Sequence, residues 1–179
     1  PMQGGPALQP TETTYVTSSG LPFFTWAPGA TLHEDLMRYG AELVWYAGPL
    51  HLAAEWMRLE QAVGTPALSP KRFQAEAYYV QVGWVITGED ARIDGIRPAN
   101  DFDPRAGKWG AFELVLRYAN FNIENEAIHE GYASGTDTAD AYTVGVNWYL
   151  NPAVRVMLNY EHVSLVMDRQ TPQGNTAED

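Results

Sequence analysis

An all-β chain folded as an antiparallel meander is what this sequence predicts. Three observations lead there: long stretches alternate in character with period 2, turn signals separate them, and the connections alternate between tight and long. In "YTVGVNWYLNPAVRVMLNYEHV", Tyr142, Val144, Val146, Trp148 and Leu150 alternate with Thr143, Gly145, Asn147 and Tyr149. Past Asn151 and Pro152, Val154, Val156, Leu158 and Tyr160 alternate with Arg155, Met157, Asn159 and Glu161.

Taken in chain order, residues 1–34 are rich in Gly, Pro, Thr and Ser and are expected to form a long, extracellular loop holding some buried aromatics. From residue 35 the character changes. "LMRYGAELVWYAGPLHLAAEWMRLE" is two alternating runs around Ala47-Gly48-Pro49, a turn signal. A third strand is expected near 75–87, followed by a polar connection to Lys108, a fourth strand near 109–123 and a loop over 124–140. The hairpin quoted above supplies strands five and six, so 35–168 reads as one segment of about six strands and 169–179 as a polar loop or tail.

Parity makes the hairpins specific. A two-residue loop at Gly48-Pro49 keeps like faces together and sets Glu42 directly across from Glu55, an unfavourable like-charge pair. The last hairpin cannot close on Asn151 and Pro152 alone, because that would set Trp148 against Arg155 and mix the faces. It needs an odd-length connection or a bulge, with Trp148 opposite Val154 or Val156.

Composition narrows the class. The 179 residues are 45% hydrophobic and 12% aromatic, with a net charge of -11 and a mean hydropathy of -0.29. No run approaches the roughly 18 apolar residues of a spanning helix, whereas barrel strands need only about 9–11 alternating residues. The absence of Cys excludes disulfides, thiolate metal sites and Cys nucleophiles. The acidic balance opposes a nucleic-acid partner. The chain begins at Pro1 with no signal-like segment, so a processed or internal N-terminus is expected.

Which way the greasy face points decides between a water-soluble fold and a membrane barrel. Aromatics recur on it six residues apart: Tyr39 with Trp45, Tyr78 with Trp84, Phe112 with Tyr118, and Tyr142 with Trp148. Trp56 and Tyr160 stand six residues after Leu50 and Val154. In antiparallel strands these fall into two belts, about 20 Å apart, roughly bracketing the apolar band of a membrane barrel. Amphipathic rings collect at such interfaces. The opposite face carries Arg38, Glu42, His51, Glu55, Gln81, Glu113, Arg117, Asn147, Arg155, Asn159 and Glu161, the expected lining of a water-filled lumen. Those charges either pair to stiffen the wall or form ion-selecting rings, and both can hold. Two alternatives stay open: a soluble or secreted β-barrel or sandwich binding a hydrophobic ligand, and a small non-conducting outer-membrane barrel.

Enzymatic constellations are weak. Glu161 and His162 are adjacent on a strand and point to opposite faces, which makes His162 a rim residue, and Ser164 beside it finds no third group. Asp101 and Asp103 in "NDFDPR" read as a solvated acidic turn ahead of a cation site. No phosphate-cradling Gly loop, metal spacing or dinucleotide fingerprint is present, so no catalytic residue, metal or cofactor is expected.

The stretches "YGAELVWYAGPLHLAAEW", "YYVQVGWVITGE", "WGAFELVLRYANFNI" and "YTVGVNWYLNPAVRVMLNYEHV" resemble the C-terminal half of the phosphate-selective porin (porin O and P) family of Gram-negative outer membranes. The likeness runs from about Tyr39 to Val163. Its most specific pieces are Gly88-Glu89, the Glu113, Arg117 and Tyr118 set, and "NWYLNP…R…NY". It implies an outer-membrane homotrimer, each barrel of about sixteen strands, passing small anions such as phosphate. The family's anion selectivity depends on Arg and Lys clusters; no counterpart cluster stands here, and acidic residues number 22 against 11 basic. Six strands fall short of the roughly eight in the smallest membrane barrels, so the chain is expected to be a fragment forming an open, curved sheet whose edges need partners.

Overall fold

The computed structural model describes residues 14–18 and 20–166, excluding the side chains of Glu34 and Asp35. The expectations for 1–13 and 167–179 lie outside the described residues. The strands are β1 (Thr14–Val16), β2 (Pro22–Trp26), β3 (Thr31–Ala47), β4 (Leu50–Gly64), β5 (Lys71–Val85), β6 (Ala111–Ile123), β7 (Ala133–Gly135), β8 (Thr138–Asn151) and β9 (Val154–Val166). A 3-10 turn, Pro104–Ala106, lies between β5 and β6, and a single-turn helix α1, Glu126–His129, between β6 and β7.

Six strands form one antiparallel sheet in the order β3-β4-β5-β6-β8-β9, the meander that the alternation predicts. β3 and β9 are its two edges and do not pair with one another, so the sheet is open. The remaining strands make a small second sheet, β1-β2-β7.

Turn chemistry sets the register at both tight hairpins. Gly48 takes a positive φ of 55° and Pro49 follows it, the residue order of a type II′ turn, whose twist suits flanking strands. Ala47 therefore meets Leu50, and Glu42 meets Glu55, as the parity requires. At the other hairpin Asn151 pairs with Val154 and Tyr149 with Arg155, leaving Leu150 as a bulge. Trp148 is thereby returned to Val156, its own face. The Asn151 side-chain oxygen accepts from the backbone N–H of Ala153 and of Val154, each at 2.9 Å, which closes the turn. The bulged Leu150 is not idle, since its carbonyl accepts from Phe102 N at 2.7 Å.

Element boundaries differ from expectation at the long connections. Residues 14–34 are not a plain loop: β1 and β2 form there and β3 begins at Thr31, because Phe24 and Trp26 alternate inward and are buried. β5 begins four residues earlier than expected, at Lys71, because Phe73 is buried opposite Gln61. It also ends earlier, at Val85, where Gly88 with a φ of 95° turns the chain and donates back to Val85 O. The 124–140 connection carries α1 and β7, and β8 already starts at Thr138.

Among the described residues no continuous core forms. Two separate clusters cap the ends of one face. Phe24, Trp26, Val63, Phe73, Ile123 and Tyr132 pack at the end bearing the 65–70 and 124–137 links. Trp26 and Tyr132 both contact the Phe73 ring, at 5.8 and 5.0 Å, and Tyr132 OH donates to Ser69 O at 2.6 Å. Val85, Ala91, Ile96, Ala111 and Tyr149 pack at the opposite end, where the 86–110 connection folds over.

Candidate functional site

The register turns each face of the large sheet into rows that run across the strands. On the face expected to be greasy, Trp45, Leu52, Val82, Leu116, Val144 and Tyr160 make one row. Leu50, Trp84, Leu114, Val146 and Leu158 make the next. These side chains stay largely uncovered: Trp84 and Leu116 are each 50% exposed and Leu158 75%. A soluble sandwich would enclose them in a core; here they form one apolar band, far broader than the scattered patches ordinary in soluble proteins.

The same face turns polar at a definite height. Tyr39, Arg58, Glu76, Asn122 and Thr138 form a cross-strand row. In it Arg58 is tied to Glu76 at 3.4 Å and to its strand neighbour Glu60 at 3.1 Å, and it also donates to Gln74. Of the aromatic residues on this face, Trp56 and Tyr78 lie in the next row and Tyr118 and Tyr142 in the one after it, while Tyr160 shares the row of Trp45. Trp56 pairs with Tyr78, while Tyr118 packs on both Tyr78 (5.9 Å) and Tyr142 (5.0 Å). Tyr118 OH reaches outward to Asp140 at 2.7 Å, which also accepts from Asn120. At the other rim Phe112 stacks on Trp148 at 5.6 Å, Trp45 meets Leu52, and Trp84 sits between Leu50 and Leu114. Phe102 and Trp109, which the alternation did not single out, join here. Phe102 packs edge-on against Trp148, and the Trp148 indole N–H donates to Trp109 O at 2.6 Å. Phe102 lies in the polar connection, where no period marks it, and Trp109, expected to open the fourth strand, falls just before β6 begins at Ala111.

The opposite face carries the charged residues. Gln81, Arg117, Thr143 and Glu161 form one row, and Glu42, Glu55, Tyr79, Ala119 and Ala141 the next. Glu42 and Glu55 face one another as direct partners, and neither has an ion-pair partner among the described residues. Arg38 likewise has none. Arg117 lies over the Tyr79 ring at 4.1 Å, a cation–π contact, with no carboxylate in salt-bridge reach among the described residues.

A tightly bonded cluster stands at the end covered by residues 86–110. His51 Nε2 lies 2.5 Å from Glu113 Oε1, although a whole strand separates β4 from β6. Gly83 makes this possible, because a Cβ there would occupy the space of the imidazole. Glu113, only 3% exposed, accepts from Asn147 Nδ2 (2.7 Å) and Tyr149 OH (2.8 Å) through its second oxygen. Tyr149 OH in turn accepts from Arg155 Nη1 at 3.2 Å. Both oxygens of a buried carboxylate are thus engaged, the condition for keeping it buried. Asn159 lies over Gly145 by the same device. Ala91 N donates to Gly48 O at 2.7 Å, pinning the 86–110 connection across this end.

Of the expected lining residues, His51, Glu113, Asn147 and Arg155 are brought into one cluster, together with Tyr149, which the alternation alone does not mark. Gln81, Arg117 and Glu161 share a row, and Arg38 stands apart from both. His162 pairs with Tyr142 on the greasy face, away from Glu161. Asp103 caps the 3-10 turn, one of its carboxylate oxygens accepting from both Arg105 N and Ala106 N.

An open antiparallel sheet with one bare apolar face and one charged face is a segment of β-barrel wall. The sequence profile of the family described as phosphate-selective porin O and P matches residues 25–177, and the chain belongs to that family. It is 29% identical over 144 residues to Porin O of Pseudomonas aeruginosa, an alignment covering 75% of this chain and 31% of that protein. The chain thus spans less than a third of that relative's length.

Proposed function

We propose that this chain is part of the wall of an outer-membrane porin, through which small ions and solutes diffuse passively, and that it catalyses no reaction. The face bearing Arg38, Glu42, Glu55, Gln81, Glu113, Arg117, Asn147, Arg155, Asn159 and Glu161 lines the water-filled lumen. Tyr39, Trp45, Trp56, Tyr78, Trp84, Phe112, Tyr118, Tyr142, Trp148 and Tyr160 form the belts at the two lipid interfaces. One observation carries the reading: a bare apolar band that ends in a polar row on its own face, in a chain of a porin family. Lipid accounts for both features, since it covers apolar side chains without a protein core and stops where the headgroups begin.

Solute choice follows from the lining charges. Glu113 is engaged with His51, Asn147 and Tyr149, so it stiffens the wall. Arg117 and the Glu42–Glu55 pair are free to act on passing ions. Phosphate passage, which the family's description suggests, requires cations from the rest of the full-length barrel to outweigh that pair. The full-length protein assembles as a homotrimer by the same resemblance. Purified full-length protein added to planar lipid bilayers should give stepwise conductance increments. A protein that stays monodisperse without detergent and yields no channels would sink the proposal and favour the soluble hydrophobic-ligand binder.

A further inference from the structure

We infer that the inner face holds a binding cleft for organic anions with an apolar body, such as aryl or alkyl carboxylates. The inference rests on this face lining an aqueous lumen, from which solutes reach the cleft. A hollow of about 660 Å³ lies between the wall and the segment carrying β1. Three alanines, Ala119, Ala139 and Ala141, form part of its floor, and their short side chains are what leaves it open. Its roof is aromatic: Tyr15 and Phe23 both pack on Phe121, at 5.3 and 5.4 Å. The roof is held to the far edge of the wall by Ser18, whose hydroxyl donates to Glu161.

Charge within the hollow is one-sided in what it offers. Arg117 lines it with its guanidinium stacked on Tyr79 at 4.1 Å and no carboxylate partner among the described residues. Stacking fixes the plane of the fork while its N–H edges stay available, which suits a bidentate carboxylate. The amides of Gln81 and Asn159 line the same hollow and add polar groups to that end. The one carboxylate lining it among the described residues, Glu161, already accepts from Ser18 through one oxygen and from Thr143 through the other at 3.4 Å. An anion at Arg117 displaces no hydrogen-bond partner among the described residues, whereas a cation at Glu161 competes with Ser18 and Thr143, and this difference favours the anion. Inorganic phosphate would satisfy Arg117 but leave the alanine floor and Phe121 wet. A carboxylate bearing a hydrocarbon body satisfies both.

Isothermal titration of detergent-solubilised full-length protein with 3-phenylpropionate, inorganic phosphate and 2-phenylethylamine tests this independently of conduction. Saturable binding of phenylpropionate is expected, weakened about tenfold or more in Arg117→Gln by loss of the charge-assisted hydrogen bonds. Ala141→Leu, which fills the floor and leaves Arg117 in place, should weaken phenylpropionate several-fold and leave any phosphate binding unchanged. Heat-modified gel migration verifies folding of both variants, and Ala141→Leu decides the matter if Arg117→Gln does not fold. No saturable heat, equal or tighter binding of the amine or of phosphate, or phenylpropionate affinity unmoved by the folded variants overturns the cleft. Channels in bilayers with no phenylpropionate binding would overturn the cleft alone, and binding without channels would overturn only the porin reading.

Discussion

Replacing Gly83 by Ala tests the reach of His51 across the sheet. The added Cβ takes the space now filled by the His51 imidazole, so the ring must leave Glu113. The substitution thereby breaks the 2.5 Å bond from His51 to a carboxylate that is 3% exposed. Asn147 and Tyr149 still bond the other oxygen, so Glu113 loses one donor, not its whole shell. A hydrogen bond to a charged group contributes about 1.5–3 kcal/mol net. Against this, Ala in place of Gly inside a strand stabilises by roughly 0.5–1 kcal/mol. The single substitution should therefore destabilise by about 0.5–2.5 kcal/mol. The decisive measurement is a double-mutant cycle with His51→Ala, followed by urea unfolding of the full-length protein in lipid vesicles. With His51 removed the clash is gone, so Gly83→Ala should become neutral or mildly stabilising. If it destabilises as much without His51 as with it, the imidazole does not depend on the glycine and the reasoning fails.

Three further outcomes follow from the faces and the register. Leu116→Arg, in an all-apolar row, should cost about 2–4 kcal/mol of folding free energy in bilayers, whereas Val115→Arg beside it should cost far less; equal penalties in vesicle refolding would contradict the face assignment. Substituting Glu42 and Glu55 together by Gln removes from the charged face two carboxylates that have no ion-pair partner among the described residues, so reversal potentials in a salt gradient should move toward anions, and an unmoved potential would leave the pair structural. Deleting the bulged Leu150 should keep Trp148 against Val156 at the cost of the Phe102 bond, about 1 kcal/mol; a protein unable to fold after that deletion would show that the bulge does more than correct parity.

Much of this architecture was legible in the chain because the relevant physics is local. Side chains alternate across a strand by geometry, so Trp84, Leu116 and Leu158 on one face and Gln81, Arg117 and Asn159 on the other follow from position alone. Turn parity is equally local: Gly48-Pro49 forces Glu42 onto Glu55, and Asn151-Pro152 forces a bulge before it. Other features required the fold. His51 and Glu113 are 62 residues apart on strands that do not touch, and they meet only because β5 places a glycine between them. Phe24 and Trp26 form a strand, where composition suggested loop, because β7 and the inner face of β5 supply the surface they bury. The Arg117 cleft exists because alanines on β6 and β8 lie side by side beneath an aromatic roof from the beginning of the chain. Faces and hairpin registers are properties of one or two neighbouring strands and can be read residue by residue. Contacts across three strands, and the covering of one end by a connection, depend on which surfaces the assembled sheet brings together, and that only the tertiary structure decides.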